Sequence, residues 1–171
     1  MRSPRVLLGL LAVVLFHFLG MRLFPSVTEV VDLFLVAVVL NALGGSSLSG
    51  LGFGFVAGLL HDALTSGPFG LYGFADTLVG YVVARLAQRL VIQRATGVLA
   101  VVSVAAVLET VIMVGLALLF LPSSELPNPF RVALRAGACG LLGAILHLGA
   151  GRVRRWYELR RSGRMNRLRI G

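Results

Sequence analysis

Hydrophobic residues in this chain fall into six runs, separated by short stretches that contain proline, glycine, serine or arginine. Most of the runs approach the roughly 20 residues that an α-helix needs to cross the hydrocarbon core of a bilayer. The second run is shorter and contains Asp32 and Asn41. The pattern predicts an all-α integral membrane protein with six transmembrane helices. The predicted spans are 6–24, 30–43, 48–64, 71–90, 97–121 and 132–150.

Composition supports a membrane protein and argues against an ordinary soluble domain. Hydrophobic residues make up 57% of the 171 residues, and charged residues only 13%. The mean hydropathy is +0.91, whereas a soluble domain carries about 25% charged residues. The first run is longer than the apolar region of a signal peptide, so it is predicted to be an uncleaved first helix. Residues 1–151 are predicted to form one transmembrane domain, and residues 152–171 a basic cytoplasmic tail.

The arginines predict how the helices are oriented. All sixteen basic residues are arginines. If the chain crosses the membrane six times, thirteen arginines lie on the side of both termini. They are Arg2, Arg5, Arg85, Arg89, Arg94 and the eight arginines from Arg152 onward. Arg22, Arg131 and Arg135 lie on the other side. The positive-inside rule therefore predicts that both termini are cytoplasmic.

The basic tail has two interpretations. It can be a stop-transfer anchor, or it can contact anionic lipids or an acidic cytoplasmic partner. Nucleic acid is not an expected partner, since no recognition motif accompanies the charge. The arginines assigned to this lipid or cytoplasmic contact are Arg152, Arg154, Arg155, Arg160 and Arg161.

The third run carries a ridge of glycines that ends in a carboxylate. Gly50, Gly54, Gly58 and Asp62 are spaced four residues apart, which places them on one helical face. Small residues let another helix approach closely, so this face is expected to pack against a helix rather than lipid. Asp62 either caps the following turn at Ser66-Gly67-Pro68 or belongs to a functional or partner-binding site.

The fourth run has a second face of small residues. Asp76 lies on it together with Gly73 and Gly80. Because the third and fourth runs are predicted to form a helical hairpin, Asp62 and Asp76 are expected to lie toward the external interface, where they can be near one another. Both are candidate sites for partner binding or polar packing.

Glu109 is near the middle of the fifth run, where an unpaired carboxylate is costly. It is expected either to make an interhelical hydrogen bond, with Thr110 as one candidate, or to serve proton-coupled transport. His17 and His147 are expected to be packing residues, since their spacing matches no zinc motif. No nucleophile, metal or phosphate-binding motif is present, so the chain is predicted not to be an enzyme and to hold no metal or cofactor.

Three segments together resemble the rod shape-determining protein MreD family. They are Gly54-Phe55-Val56-Ala57-Gly58-Leu59-Leu60-His61-Asp62, Ser66-Gly67-Pro68-Phe69-Gly70 and Ala75-Asp76-Thr77-Leu78-Val79-Gly80-Tyr81. They follow the family's order of a Gly-rich helix ending in Asp, a short turn and a helix with Gly-Tyr. The second run departs from the family pattern, because Val31 stands where proline often precedes Asn or Asp. Asp32 keeps the carboxylate and is expected to make a polar contact.

The resemblance implies a multi-pass component of the lateral cell-wall elongation machinery in the bacterial inner membrane. Its implied partners are a single-span MreC-like protein and membrane lipids. An MreB-like filament and the glycosyltransferase–transpeptidase pair that builds peptidoglycan are implied as indirect partners. At fold level the family looks similar to the six-helix substrate-binding components of vitamin importers, and that analogy does not transfer ligand binding.

Two functional hypotheses remain open from the sequence. In the first, the chain is a scaffold that docks partner transmembrane helices on its glycine-rich faces. In the second, it is a small-molecule binding or transport subunit that uses Asp62, Asp76 or Glu109. The second hypothesis predicts a closed internal cavity lined by those acids.

Overall fold

The structure, a computed structural model, describes residues 3–23, 30–65, 68–89, 94–120 and 127–167, and the side chains between residues 8 and 153 in those ranges. Every regular element in these ranges is an α-helix. The helices are α1 (Ser3–Leu23), α2 (Leu33–Leu43), α3 (Ser47–Leu64), α4 (Leu71–Ala87), α5 (Ala95–Phe120) and α6 (Pro129–Arg167).

Side-chain caps begin three of the helices. Asp32 precedes α2 and accepts a hydrogen bond from the backbone N–H of Leu35 at 3.0 Å. Ser46 caps α3 through the N–H of Ser49, and Asn128 accepts from the N–H of Phe130 at the start of α6. These residues satisfy N–H groups that have no partner within the helix.

The short helix α2 lies at the centre of the molecule and packs against each of the other five helices. Phe34, Leu35, Val36, Val38 and Val39 are fully buried. A helix that is apolar on all sides is stable only when neighbours surround it or lipid does. The neighbours of α2 are the other helices of the chain. The shortest of the six predicted spans therefore forms the core.

Two helical hairpins flank this centre. Helices α3 and α4 form one, and α5 and α6 form the other. Val98, Val102 and Cys139 of the second hairpin join the apolar core with Leu35 and Val39 of α2. Helix α1 packs mainly on α2, through Leu10 and its neighbours.

The helices agree with the predicted runs to within a few residues, except at the end of the last one. Helix α6 continues from residue 150 to Arg167 without a break. Among the residues that the structure describes, three helical stretches are long and apolar enough to cross a membrane, namely Ser47–Leu64, Ala95–Phe120 and Pro129–Val153. The count of six spans and the domain boundary at residue 151 stay predictions. The stretches that separate the first, third and fifth predicted spans from the next include residues 25–26, 66–67 and 122, which lie outside the described residues.

Candidate functional site

A partly buried cation near the start of α6 joins three parts of the chain. The Nη2 atom of Arg135 lies 2.7 Å from Oδ2 of Asp32 and 2.9 Å from Oε2 of Glu109. Its Nη1 atom lies 3.5 Å from the hydroxyl oxygen of Thr110. We call these four residues the Arg135 cluster. It fastens the start of α2 and the middle of α5 to α6.

The Arg135 cluster is largely shielded from solvent. The side chain of Glu109 is fully buried, that of Asp32 is 5% exposed and that of Arg135 is 21% exposed. Removing paired charges from water is costly unless hydrogen bonds and Coulomb attraction compensate, and here one guanidinium serves both carboxylates. The backbone N–H of Asp32 also donates to the sulfur of Cys139 at 3.3 Å. Cys139 therefore supports the cluster from α6.

Four aromatic and imidazole rings extend the cluster toward α1. His61 of α3 lies between Phe34 and Tyr72, with ring centroids 4.8 Å and 3.9 Å apart. His17 of α1 makes T-shaped contacts with Phe34 and His61, with ring centroids 5.1 Å and 5.7 Å apart. The Nδ1 atom of His61 lies 3.8 Å from Oδ2 of Asp32. This ring cluster (His17, Phe34, His61 and Tyr72) connects the first four helices.

Asp62 caps the helix that follows it. Its carboxylate accepts hydrogen bonds from the backbone N–H groups of Gly70 at 3.0 Å, Tyr72 at 3.1 Å and Gly73 at 2.8 Å. Gly70 has φ +103°, a left-handed conformation that favours glycine, and this residue turns the chain into α4. Asp62 therefore caps the N-terminus of α4, beyond the turn at Ser66-Gly67-Pro68 where the capping interpretation placed its hydrogen bonds.

Asp76 is fully buried, and neither of its carboxylate oxygens has a hydrogen-bond partner within the described residues. Oε1 of Glu109 and both ring nitrogens of His17 are likewise buried without a hydrogen-bond partner among the described residues. Asp62 and Asp76 therefore occupy different environments, although they lie on the two helices of one hairpin. Within the described ranges, no group of three or more His, Cys, Asp or Glu side chains could hold a metal ion.

The glycine ridge contacts α4 of the same chain. A Cβ added at Gly50 would overlap the carbonyl oxygen of Gly80, and one added at Gly54 would overlap that of Asp76. At Gly58 it would overlap the carbonyl oxygen of Tyr72.

This packing corrects the expectation that the ridge receives a partner helix, because the chain's own α4 covers that surface. Gly80 also contacts α2, since a Cβ there would lie 3.1 Å from Cγ1 of Val38. The close-packing part of the expectation holds: the ridge does pack against a helix.

Arg135 was missed as a site residue from the sequence. It falls inside the predicted span 132–150, although the predicted topology groups it with the arginines of the external side. A cation inside an apolar run is itself a signal, because at that depth it needs an acidic partner. Arg152 is exposed at the end of the span. The side chains of Arg154, Arg155, Arg160 and Arg161 lie outside the described residues.

Comparison with known proteins agrees with the three segments noted in the sequence. The family model described as rod shape-determining protein MreD matches residues 4–130, about three quarters of the chain and all of the Arg135 cluster except Arg135 itself. No curated protein and no solved structure matches the chain. The expected likeness to vitamin-importer components therefore stays a prediction. The matched region includes the glycine ridge, its Asp62 cap and Asp32, and the chain belongs to the rod shape-determining protein MreD family.

Proposed function

We propose that the chain is a non-enzymatic scaffold of the cell-wall elongation machinery in the bacterial inner membrane, with both termini in the cytoplasm. Family membership supports a role in rod shape determination. In this proposal an MreC-like single-span protein binds the bundle directly. An MreB-like filament and the glycosyltransferase–transpeptidase pair are reached through that partner.

The observation that carries the scaffold proposal is an outward apolar seam on α5. Val104, Val107, Val111 and Leu118 are between 42% and 68% exposed. Gly115 lies among them, and a Cβ added there would meet nothing within 4 Å. These positions recur at three- and four-residue intervals, the spacing of a helix–helix seam.

The length and composition of this seam suit a transmembrane partner. From residue 104 to residue 118 an α-helix rises about 21 Å, which is most of the hydrocarbon core. A glycine inside a helix costs about 1 kcal/mol relative to alanine. The buried glycines of α3 offset this cost through contacts with α4, whereas a Cβ at Gly115 meets none of the described residues within 4 Å. A partner helix at Gly115 would supply one.

The experiment compares Gly115 with Gly52, two glycines at which an added Cβ meets nothing within 4 Å. In G115L the new side chain obstructs the α5 seam, and in G52L it projects from α3, where a Cβ at Gly52 also meets nothing within 4 Å. We expect G115L to lower co-purification of the MreC-like protein at least tenfold and to fail to restore rod shape in cells lacking the native protein. G52L should retain both properties. Unchanged co-purification of the G115L variant would refute docking at this seam.

The hypothesis of a small-molecule transport subunit receives no comparable support. It requires a cavity lined by Asp62, Asp76 or Glu109. The hydrogen bonds of Asp62 are made to α4, and a groove of about 900 Å³ between α1 and α6 is lined by none of the three acids.

A further inference from the structure

A lateral apolar groove runs between α1 and α6, with α2 as its floor. Its volume is about 900 Å³, within the range of small-molecule sites. Gly9 and Phe16 of α1 line one wall, Leu146 and Ala150 of α6 line the other, and Ala37 lies on the floor. A gap of this size in a bilayer must be filled, because an empty one forfeits the dispersion contacts of every lining atom.

The groove is as deep as one leaflet. Its floor follows α2, whose 11 residues rise about 16 Å, close to half of the ~30 Å hydrocarbon core. A transmembrane helix would run past the end of this floor. A lipid acyl chain from one leaflet has the matching depth.

One end of the groove is polar. Asn41, the turn at Gly44 and Gly45, and Ser49 line that end, while the remaining lining side chains are apolar. We call it the basic end, because both walls continue into arginines there. In α1, Arg5 precedes Gly9 by four residues, about one helical turn. In α6, Arg152, Arg154 and Arg155 follow Ala150 within five residues.

From this depth and this charge we propose that the groove binds one acyl chain of an anionic phospholipid, whose headgroup lies among the arginines of the basic end. The apolar walls hold the chain, and the arginines select a phosphate-bearing headgroup with net negative charge. The bound lipid fills the space between α1 and α6, so it supports α1, which otherwise packs mainly on α2. This inference does not depend on the scaffold proposal.

The test uses the purified full chain in detergent, titrated with phosphatidylglycerol or with phosphatidylcholine, and counts bound lipids by native mass spectrometry. We expect one phosphatidylglycerol to be retained under conditions that remove phosphatidylcholine. G9F projects a ring into the groove from a position where a Cβ meets nothing within 4 Å. We expect it to lower phosphatidylglycerol retention at least tenfold. The control G52F, equally open but outside the groove, should match the parent protein.

Charge is tested separately from shape. R5Q and R152Q should each weaken phosphatidylglycerol binding about fivefold, as expected from ~1 kcal/mol per basic residue near an anionic surface. They should leave the weaker phosphatidylcholine binding unchanged. Equal retention of the two lipids by the parent protein, or full retention by G9F, would overturn the proposal. So would a photo-crosslinker at Gly9 that captures a polypeptide, whether a partner helix or a second copy, in place of lipid.

Discussion

At the scale of single residues, Arg135 connects more of the structure than any other side chain of the described cluster. Its guanidinium contacts carboxylates of Asp32 and Glu109, which come from separate elements. Replacing a buried ion pair by apolar groups can be nearly neutral, but removing one partner leaves an uncompensated charge. Here the loss of one cation would leave two buried carboxylates, so the arginine matters more than either acid.

The first prediction concerns R135Q. We expect a loss of about 3–5 kcal/mol in the free energy of unfolding, because both carboxylates lose their charged partner. The matched control is R131Q, one helical turn earlier on α6 and exposed, which should change stability by less than about 0.5 kcal/mol. The measurement is reversible unfolding in mixed SDS micelles. Equal stability of the two variants would show that the Arg135 cluster does not hold the helices together.

The two aspartates of the α3–α4 hairpin show how environment separates identical side chains. Asp62 accepts three backbone hydrogen bonds at the start of α4. Asp76, about one and a half turns beyond that start, is fully buried without a hydrogen-bond partner among the described residues. The sequence pattern places both acids on small-residue faces and predicts that they can lie near one another. Their difference arises from which backbone groups each one reaches.

At the scale of elements, the α3–α4 hairpin depends on backbone contact. Gly50, Gly54 and Gly58 each bring α3 against a carbonyl oxygen of α4. Without a hydrophobic driving force between helices in lipid, close packing of this kind is a main source of association. At each of these positions an added methyl group would meet a backbone carbonyl oxygen of α4, which cannot move aside as a flexible side chain can.

The second prediction compares two glycines on α3. G54A should destabilise the protein by at least about 2 kcal/mol, because its Cβ would overlap the Asp76 carbonyl oxygen and overpacking forces the backbone apart. G52A, two residues earlier and open, should be neutral or gain up to about 1 kcal/mol from helix propensity. Thermal unfolding in nanodiscs would distinguish them. If the two variants unfold at the same temperature, α3 and α4 are not packed as described.

At the scale of the whole molecule, membrane topology depends on helices of unequal length. Helix α4 has 17 residues and rises about 26 Å, and α2 rises only about 16 Å. A short central helix can remain at bilayer depth because protein surrounds it and its end groups are capped. The structure therefore supports a bundle in which longer helices face lipid and α2 does not.

The third prediction tests whether α4 crosses the membrane. In a C139S background, chosen because Cys139 is fully buried, a cysteine is placed at Phe69 or at Gln88, beyond the two ends of α4. A membrane-impermeant maleimide should label F69C in intact spheroplasts and Q88C only after permeabilisation, as expected with both termini in the cytoplasm. Labelling of both positions from the same side would contradict the six-span topology.

The sequence by itself determined the class of protein, the location of the helices and the family. These features depend on local properties, since an apolar run of sufficient length forms a helix in lipid whatever its neighbours are. The local sequence around Asp32 likewise predicts a polar contact, but it cannot identify the partner. Arg135 lies 103 residues further along the chain.

Only the tertiary structure decided which faces meet. In a membrane, an apolar face is compatible with lipid, with a partner or with another helix of the same chain, so periodicity does not identify its neighbour. The glycine ridge therefore predicted close packing without revealing that α4 covers it. The central position of α2 was equally hidden, because a short apolar run looks like a weak span until five other helices surround it.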